Sequence, residues 1–340
     1  MNGRERVLAA LRGEAPDRVP VMLHNFMMAA RENGVPMSVF RRSGRAIAES
    51  FIRAVETYGF DGIVVDVDTA TLAGAVGVPV DLPDDLPARC RAPLLRTLAG
   101  ARDLVPADVA GYFSVQAALE AVSRLKDHFR GEVAVRGNCD QAPFSLAGLV
   151  RSLDAWLLDL IEGEEELVRK VLDFSAGATT QFLKLMAAAG ADILSNGDSP
   201  AGPEMISPAM YRRFAWPYEK MIASEARALG LPYILHVCGR TDLILADMAG
   251  TGADGLELDQ KTDVNLARRV LKDRTAFIGN IDPSGVLALG TPALVAARTR
   301  ELLERFSGTP RFILNAGCAI PAETPAANLR AMIGTARAFG

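Results

Sequence analysis

The stretch "PYILHVCGRTD", residues 232–242, contains the pattern from which the fold of this chain can be deduced. It begins as a short apolar run and ends in polar residues and a glycine, which is typical of a strand buried in a parallel sheet. Because side chains alternate along a strand, His236 and Cys238 point to the same face. The stretch therefore predicts a buried strand that presents an imidazole and a thiol at its carboxyl end.

The same pattern recurs along the chain and indicates the fold class. Helical stretches such as residues 45–59, 164–190 and 293–306 separate most of the apolar runs, as in a parallel α/β fold. Eight such units that close on themselves form a (β/α)8 TIM barrel. The alternative, a doubly wound open sheet, normally has a glycine-rich phosphate loop after its first strand, and none follows here. The predicted strands are residues 19–25, 62–69, 132–138, 192–198, 233–239, 255–260, 276–282 and 312–318.

Two segments extend a minimal barrel. A helical extension within residues 1–18 precedes the first strand, and we expect it to cap the barrel bottom. Residues 70–113 form a long excursion, rich in Pro, Asp and Arg, between the second and third strands. Its place near the barrel mouth makes it a candidate lid or substrate wall, and a passive surface segment fits equally well. With no repeat or linker, residues 1–340 are predicted to form a single TIM-barrel domain.

Composition excludes several classes of function. A formal net charge of −4 argues against binding to nucleic acid, which needs a basic surface. The chain has no apolar run of the roughly 18 residues that a membrane span needs, so no membrane association is expected. The N-terminus lacks the apolar core of a secretory signal. Four widely spaced cysteines do not resemble a disulfide framework, which favours a reduced, cytoplasmic setting.

Polar residues follow the apolar part of each predicted strand. Since the carboxyl ends of barrel strands meet at one mouth, these side chains converge, and burying so many without partners is unfavourable. A polar ligand or a metal is therefore implied, although the three asparagines among them fit strand-end capping equally well. The candidates are His24, Asp68, Asn138, Cys139, Asp198, His236, Cys238, Glu257, Asp259, Asn280, Asn315 and Cys318.

Three of these residues form a candidate metal site. His236 and Cys238 share one strand face, and Cys318 comes from the end of the last strand. One imidazole and two thiolates suit zinc, and three protein ligands leave a fourth position open for a substrate. Cys139 is a rival ligand, ranked instead among the groups around the site. Asp198, Glu257 and Asp259 are candidates to fix the His236 tautomer, to supply a fourth ligand or to position a substrate.

Five motifs give the chain a resemblance to a known family. They are "RERVLAALRGEAPDRVPV", "YGFDGIVVDVD", "ISPAMYRRFAWPYEKMI", "GNIDP" and "NAGCAIP", and in this order the chain resembles the uroporphyrinogen decarboxylase superfamily over nearly its full length. Two markers of the decarboxylase branch are missing: an Arg-rich motif after the first strand and a His in a "GH" pair of the last strand. Only Asp68 falls where that branch keeps a pyrrole-binding Asp.

The closer likeness is to the zinc-dependent methyltransferases that work with corrinoid proteins. That branch is marked by a His-x-Cys pair and a distant Cys, which His236, Cys238 and Cys318 match. The resemblance implies methyl transfer between a corrinoid and either a thiol or a methylated small molecule, with a zinc-activated thiol. No corrinoid-binding Asp-x-His-x-x-Gly motif occurs around the three histidines, so we expect a separate corrinoid-binding protein as partner.

Two other functions remain open from the sequence. One is a metal-independent decarboxylase of a tetrapyrrole or related acid, which predicts no zinc and a mouth lined by several arginines. The other is a barrel that binds a small molecule without turnover. The sequence also leaves open the methyl donor, the acceptor, the direction of transfer and the oligomeric state.

Overall fold

Eight parallel strands form a barrel in the computed structural model, which describes residues 1–339. Each barrel strand pairs in parallel with the next one along the chain, and a bridge between Val21 and Leu314 joins the last strand to the first. The predicted (β/α)8 TIM barrel is therefore confirmed. Its strands are β1 (Met22–Leu23), β2 (Gly62–Val65), β5 (Ala134–Gln141), β6 (Ile193–Gly197), β7 (Tyr233–Val237), β8 (Gly255–Leu258), β9 (Ala276–Ile281) and β10 (Phe312–Ala316); β3 (Val80–Asp81) and β4 (Arg89–Cys90) form a separate antiparallel hairpin.

Helices surround the barrel, and local sequence fixes several of their ends. Ser43 accepts a hydrogen bond from the Ala46 N–H at the start of α4 (Gly44–Tyr58), and Gly59, at φ 71°, ends that helix in the left-handed conformation. No helix in the described part of the chain has the length and apolarity needed to cross a membrane. The helices are α1 (Gly3–Arg12), α2 (Phe26–Glu32), α3 (Met37–Phe40), α4 (Gly44–Tyr58), α5 (Thr71–Ala75), α6 (Phe113–Phe129), α7 (Pro143–Arg151), α8 (Leu153–Glu162), α9 (Glu165–Ala188), α10 (Pro208–Met210), α11 (Trp216–Ala228), α12 (Leu245–Ala249), α13 (Val264–Leu271), α14 (Pro292–Arg305) and α15 (Ala326–Phe339).

A small apolar core fills the lower part of the barrel. It combines one face of α1 with inward-facing residues of the strands, while a larger core lies between the strands and the outer helices. The start of the α1 helix is fixed by a capping box between Asn2 and Glu5. The inner core consists of Val7, Leu8, Ala10, Leu11, Met22, Val64, Ala134, Ile193, Ile234, Ala276, Ile278 and Ile313.

The first strand is much shorter than predicted. Residues 19–25 were expected to be extended, but regular pairing is limited to Met22 and Leu23. Pro20 has no N–H to donate to a neighbouring strand, and α2 begins directly after Asn25. His24 therefore lies on the turn between β1 and α2, at the mouth of the barrel.

The excursion contains more regular structure than its composition suggested. It includes α5, the β3–β4 hairpin and a 3-10 turn at Leu98–Asp103. The buried Arg41 side chain donates hydrogen bonds to the backbone carbonyls of Pro83 and Leu86, which fasten the hairpin to the barrel side. A lid role for residues 70–113 and the single-domain organisation of residues 1–340 both stay predictions.

Candidate metal centre at the barrel mouth

Two strand ends bring an imidazole and two thiols together. His236 lies in β7, Cys238 directly follows that strand, and Cys318 lies two residues beyond β10. The His236 Nε2 atom is 3.0 Å from the Cys238 Sγ atom, which is 3.8 Å from the Cys318 Sγ atom. All three potential ligand atoms lie within 4.8 Å of one another. The convergence that strand alternation predicted is therefore present in the structure.

The donor set and its geometry fit zinc. With Zn–S bonds of about 2.3 Å, the two sulfurs of a tetrahedral site lie about 3.8 Å apart, which is the separation of Cys238 and Cys318 here. The His236 Nδ1–H donates to the Glu257 backbone carbonyl at 2.9 Å, so Nε2 faces the thiols as the ligand atom. The Nε2–Sγ distance of 3.0 Å is that of a hydrogen bond and would lengthen by about 0.5 Å around an ion.

The charge state of the three groups favours a cation. A hydrogen bond from the Cys318 thiol lowers the pKa of Cys238 to about 3, against the effect of burial, and the shared proton raises the pKa of Cys318. Burial lowers the pKa of His236, but the nearby Cys238 thiolate outweighs this and raises it to about 9. The protons of His236 and Cys318 thus both stabilise the Cys238 thiolate. A divalent ion bound between the three groups would replace these protons.

Ser199 adds a hydrogen bond that the sequence reasoning missed. It begins a 3-10 turn immediately after β6, and its hydroxyl donates to the Cys238 sulfur at 3.0 Å. The available signal was its position at a strand end, two residues after Gly197. Such a donor orients the sulfur and spreads its negative charge.

Glu257 links the metal centre to the other side of the mouth. Its carboxylate is 1% exposed and accepts a hydrogen bond from Arg136, which is itself buried. His24 and His236 each place Nδ1 3.8 Å from its Oε1 atom. Burial raises the pKa of Glu257, but attraction to Arg136, His236 and His24 outweighs this and lowers it to about 2. Glu257 is therefore an ionised carboxylate in an interior position.

A cavity of about 350 Å3 opens above these groups, and we call it the mouth cavity. Six of the predicted site residues line it, together with apolar side chains from the first turn of α2, from the β10–α15 connection and from Pro87 in the excursion. Its lining residues are His24, Phe26, Met27, Asp66, Thr69, Pro87, Arg136, Asn138, Asp140, Gln141, Gly197, Ser199, His236, Cys238, Glu257, Cys318, Ala319, Ile320 and Pro321.

Three predicted residues point away from the mouth cavity, toward the outer helices. Asp198 accepts hydrogen bonds from both the N–H and the hydroxyl of Ser145, in the first turn of α7, and burial raises its pKa to about 6. Asp68 accepts hydrogen bonds from the Ala70 N–H and the Thr71 hydroxyl, where the chain enters α5. Cys139 is fully buried in the outer core, where burial raises the pKa of its thiol.

The other three serve the backbone of the strand ends. Asp259 accepts hydrogen bonds from the Gly239 and Lys261 N–H groups, and so joins the loops after β7 and β8. Asn280 donates to the Asp259 carbonyl, and Asn315 accepts from the Ala316 N–H. The structure does not place these side chains among those that line the mouth cavity.

Comparisons with known proteins place the chain among two groups of enzymes. Methylcobamide:CoM methyltransferase MtbA of Methanosarcina mazei is 30% identical over 345 residues, which cover 99% of this chain and 98% of that protein. Uroporphyrinogen decarboxylase of Thermus thermophilus is 29% identical and covers 96% of each chain. A solved structure described as a methyltransferase from Methanosarcina mazei superposes with a TM-score of 0.91 at 25% identity, over 100% of this chain and 99% of that one.

The sequence identity of this chain to the methyltransferase and to the decarboxylase is thus nearly equal. The family to which the chain belongs is nevertheless clear. The sequence profile described as "Uroporphyrinogen decarboxylase (URO-D)" matches residues 2–339. Since that match spans almost the entire sequence, this chain belongs to the uroporphyrinogen decarboxylase family.

Proposed function

We propose that this protein is a methyltransferase that moves a methyl group between a corrinoid, carried by a separate protein, and a small-molecule thiol. The observation that carries the proposal is the meeting of His236, Cys238 and Cys318 at the mouth cavity. The Methanosarcina mazei relative, whose name describes transfer from methylcobamide to CoM, supports it. A reduced, cytoplasmic setting suits a chain whose four cysteines are free.

His236, Cys238 and Cys318 would hold zinc. The ion, when bound, supplies Lewis acidity that ionises a thiol substrate at neutral pH and keeps its sulfur nucleophilic. The Glu257 carbonyl keeps the His236 imidazole in the orientation that presents Nε2, and Ser199 orients Cys238. The apolar walls exclude water from the reacting atoms.

The proposed methyl transfer is heterolytic. The thiol loses its proton, a sulfur–carbon bond forms, and the cobalt–carbon bond breaks with its electron pair left on cobalt. Cobalt passes from Co(III) to Co(I), and the sulfur gains the methyl group. In the reverse direction the methylated compound delivers its methyl group to Co(I). The residues of this chain bind and orient the small molecule, and the partner protein supplies the corrinoid.

The decarboxylase alternative has less support at this site. It predicts a mouth lined by several arginines, whereas Arg136 is the one arginine among the side chains that line the mouth cavity within residues 1–339, and it is paired with Glu257. Asp68, the counterpart of the pyrrole-binding Asp, is buried at the start of α5 and does not face the cavity. The zinc and methyl-transfer measurements described next distinguish the proposed methyltransferase from a barrel that binds a small molecule without turnover.

The test measures zinc content and methyl transfer in the same preparations. We expect about one zinc per chain in the wild-type protein and none in Cys238→Ala or Cys318→Ala, with transfer from methylcobalamin lost in both. Cys90→Ala is the matched control, because Cys90 lies in the excursion hairpin and does not line the mouth cavity. Full metal retention in both ligand variants would contradict the proposed site, and zinc without any transfer would favour the non-catalytic alternative.

A further inference from the structure

The basic side chains of the mouth cavity are already paired. Apart from His236, the basic residues that line it within the described chain are Arg136 and His24. Arg136 is 2% exposed and donates to the Glu257 carboxylate. The His24 Nε2 atom is 2.8 Å from the Asp66 Oδ2 atom. Neither basic group is free to balance the charge of an anionic substrate.

Carboxyl groups outnumber these basic groups on the cavity wall. Asp66, Asp140 and Glu257 all line the mouth cavity. Burial, and then the nearby Asp66 and Asp68 carboxylates, raise the pKa of Asp140 well above its ordinary value. The repulsion from Asp66 and Asp68, which adds to the effect of burial, opposes one more negative charge in this part of the mouth.

Except for Asn138, the remaining polar side chains of the wall already donate within the protein: Thr69 to the Ala88 carbonyl, Gln141 to Asp140 and Ser199 to Cys238. The other side chains are apolar and offer an anion little solvation. They include Phe26, Met27, Pro87, Ile320 and Pro321. An ionised group that leaves water for such a surface loses its hydration and needs a counterion or several hydrogen-bond donors in exchange. A neutral or cationic group avoids this loss, and a cation is also attracted by Asp66.

We infer that the small molecule in the mouth cavity is uncharged or positively charged, and that thiols carrying a sulfonate or a carboxylate are poor substrates. The inference rests on the proposed function and makes it more specific. It also separates this chain from what the Methanosarcina mazei relative's name describes, because coenzyme M is 2-mercaptoethanesulfonate. Likeness to that relative alone would have suggested the anionic thiol.

The test uses three thiols of equal length: 2-mercaptoethanesulfonate, 2-mercaptoethanol and 2-aminoethanethiol. Binding is measured without turnover, by titrating each into the Co2+-loaded protein and following the sulfur-to-cobalt absorption. Transfer from methylcobalamin is measured with the zinc-loaded protein. After correction for the ionised fraction of each thiol, we expect the neutral and cationic thiols to exceed the sulfonate at least about tenfold in affinity and in kcat/KM, a difference of about 1.4 kcal/mol.

A charge variant provides a second, independent measurement. Glu257→Gln removes an anion and leaves Arg136 as an unpaired cation, so the preference between sulfonate and ammonium thiols should shift at least about tenfold toward the sulfonate. Glu301→Gln is the matched control, since that carboxylate pairs with Arg298 on the exposed surface of α14 and does not line the mouth cavity, and we expect less than about a threefold shift. Should Glu257→Gln fail to fold, the thiol series on the native protein decides alone.

The outcomes separate the inference from the function beneath it. Tightest binding of the sulfonate overturns the inference, while transfer to any of the thiols still supports the methyltransferase. The expected order of binding without any transfer supports the charge preference and overturns the thiol-acceptor function. Neither binding nor transfer with all three thiols overturns both.

Discussion

The amino-terminal end of the barrel and its mouth both bury charged side chains, but they use them differently. At the bottom, Asp61 accepts hydrogen bonds from Arg6, Arg18 and the Val21 N–H, so each of its oxygens is satisfied. Asp192 is held in the same way by Arg4 and Lys126 together with a backbone N–H.

At the mouth, several buried polar atoms have no hydrogen-bond partner in the part of the chain that the structure describes. The Nε of Arg136 and both amide atoms of Asn25 are buried with no hydrogen-bond partner among residues 1–339, and three ligand atoms converge on one point. Satisfied charges at the bottom fix the strands and α1, whereas the mouth leaves the metal-ligand atoms and single hydrogen-bonding atoms for a ligand, although Glu257 balances the charge of Arg136. The difference agrees with the division between stability and function at the two ends of TIM barrels.

The largest effect on folding should come from Asp61→Ala. The substitution leaves two guanidinium groups and a backbone N–H without their shared acceptor, and we expect a loss of about 3 kcal/mol in the free energy of unfolding. Urea denaturation of the metal-free protein measures it. Zinc content at 25 °C should stay at the wild-type value. Loss of zinc from the folded variant would show that the two ends of the barrel are coupled. It would contradict the division between stability at the bottom and function at the mouth.

The reverse pattern is expected at the mouth for Ser199→Ala. Removing the donor to the Cys238 sulfur should lower zinc affinity by about tenfold. The unfolding free energy of the metal-free protein should change by less than about 1 kcal/mol. Competition with a chromophoric chelator gives the affinity. Ser224→Ala is the control, because that exposed hydroxyl donates to the Lys220 carbonyl on α11 and does not line the mouth cavity. Equal zinc affinity in both variants would remove Ser199 from the site.

The smallest expected change in stability comes from Asp17, an exposed carboxylate at the bottom of the barrel. The hydrogen bond from Arg6, together with that from the N-terminal ammonium, holds the pKa of Asp17 well below its ordinary 3.8. A depressed pKa gives stability that is present above pH 3.8 and is lost as the pH falls below it. Because Asp17 is 44% exposed and solvent screens it, Asp17→Asn should cost at most about 1 kcal/mol at pH 7.

Thermal or urea unfolding at several pH values follows this difference. The wild-type protein and Asp17→Asn should converge in stability as the pH falls below 3.8. A gap that stays constant across that range would mean that the charge of Asp17 does not contribute, and that the bottom of the barrel depends on Asp61 and Asp192 alone.

Strand alternation explains why several site residues could be predicted from the sequence. It also explains why two of the predicted residues lie away from the mouth cavity. Arg136 and Asn138 line the mouth cavity, so alternation puts Cys139 on the opposite face of β5, where it is buried in the outer core. Ile193 belongs to the inner core, and counting from it in twos puts Asp198 on the outer side as well. Those two positions were predictable from the period of a strand.

Two further positions, Asp68 and Asp259, depended on backbone turns that follow the strands. Asp68 and Asp259 lie beyond the last regular residues of β2 and β8, where alternation no longer applies. Each carboxylate instead accepts hydrogen bonds from N–H groups of its own loop or of a neighbouring one. Ser199 was missed for the same reason, because a turn after β6 carries its hydroxyl to a sulfur in a different loop.

The eight strands, their parallel arrangement and the meeting of His236, Cys238 and Cys318 follow from the amino-acid sequence alone, since a period of two and the convergence of strand ends are local rules applied eight times. Which charges are paired depends instead on long-range contacts. Arg136 with Glu257 and His24 with Asp66 are partners more than 40 positions apart, and their pairing follows from how the closed barrel brings the strand ends and the connection after β1 together. That pairing, rather than the presence of basic residues, sets the charge that the mouth cavity accepts.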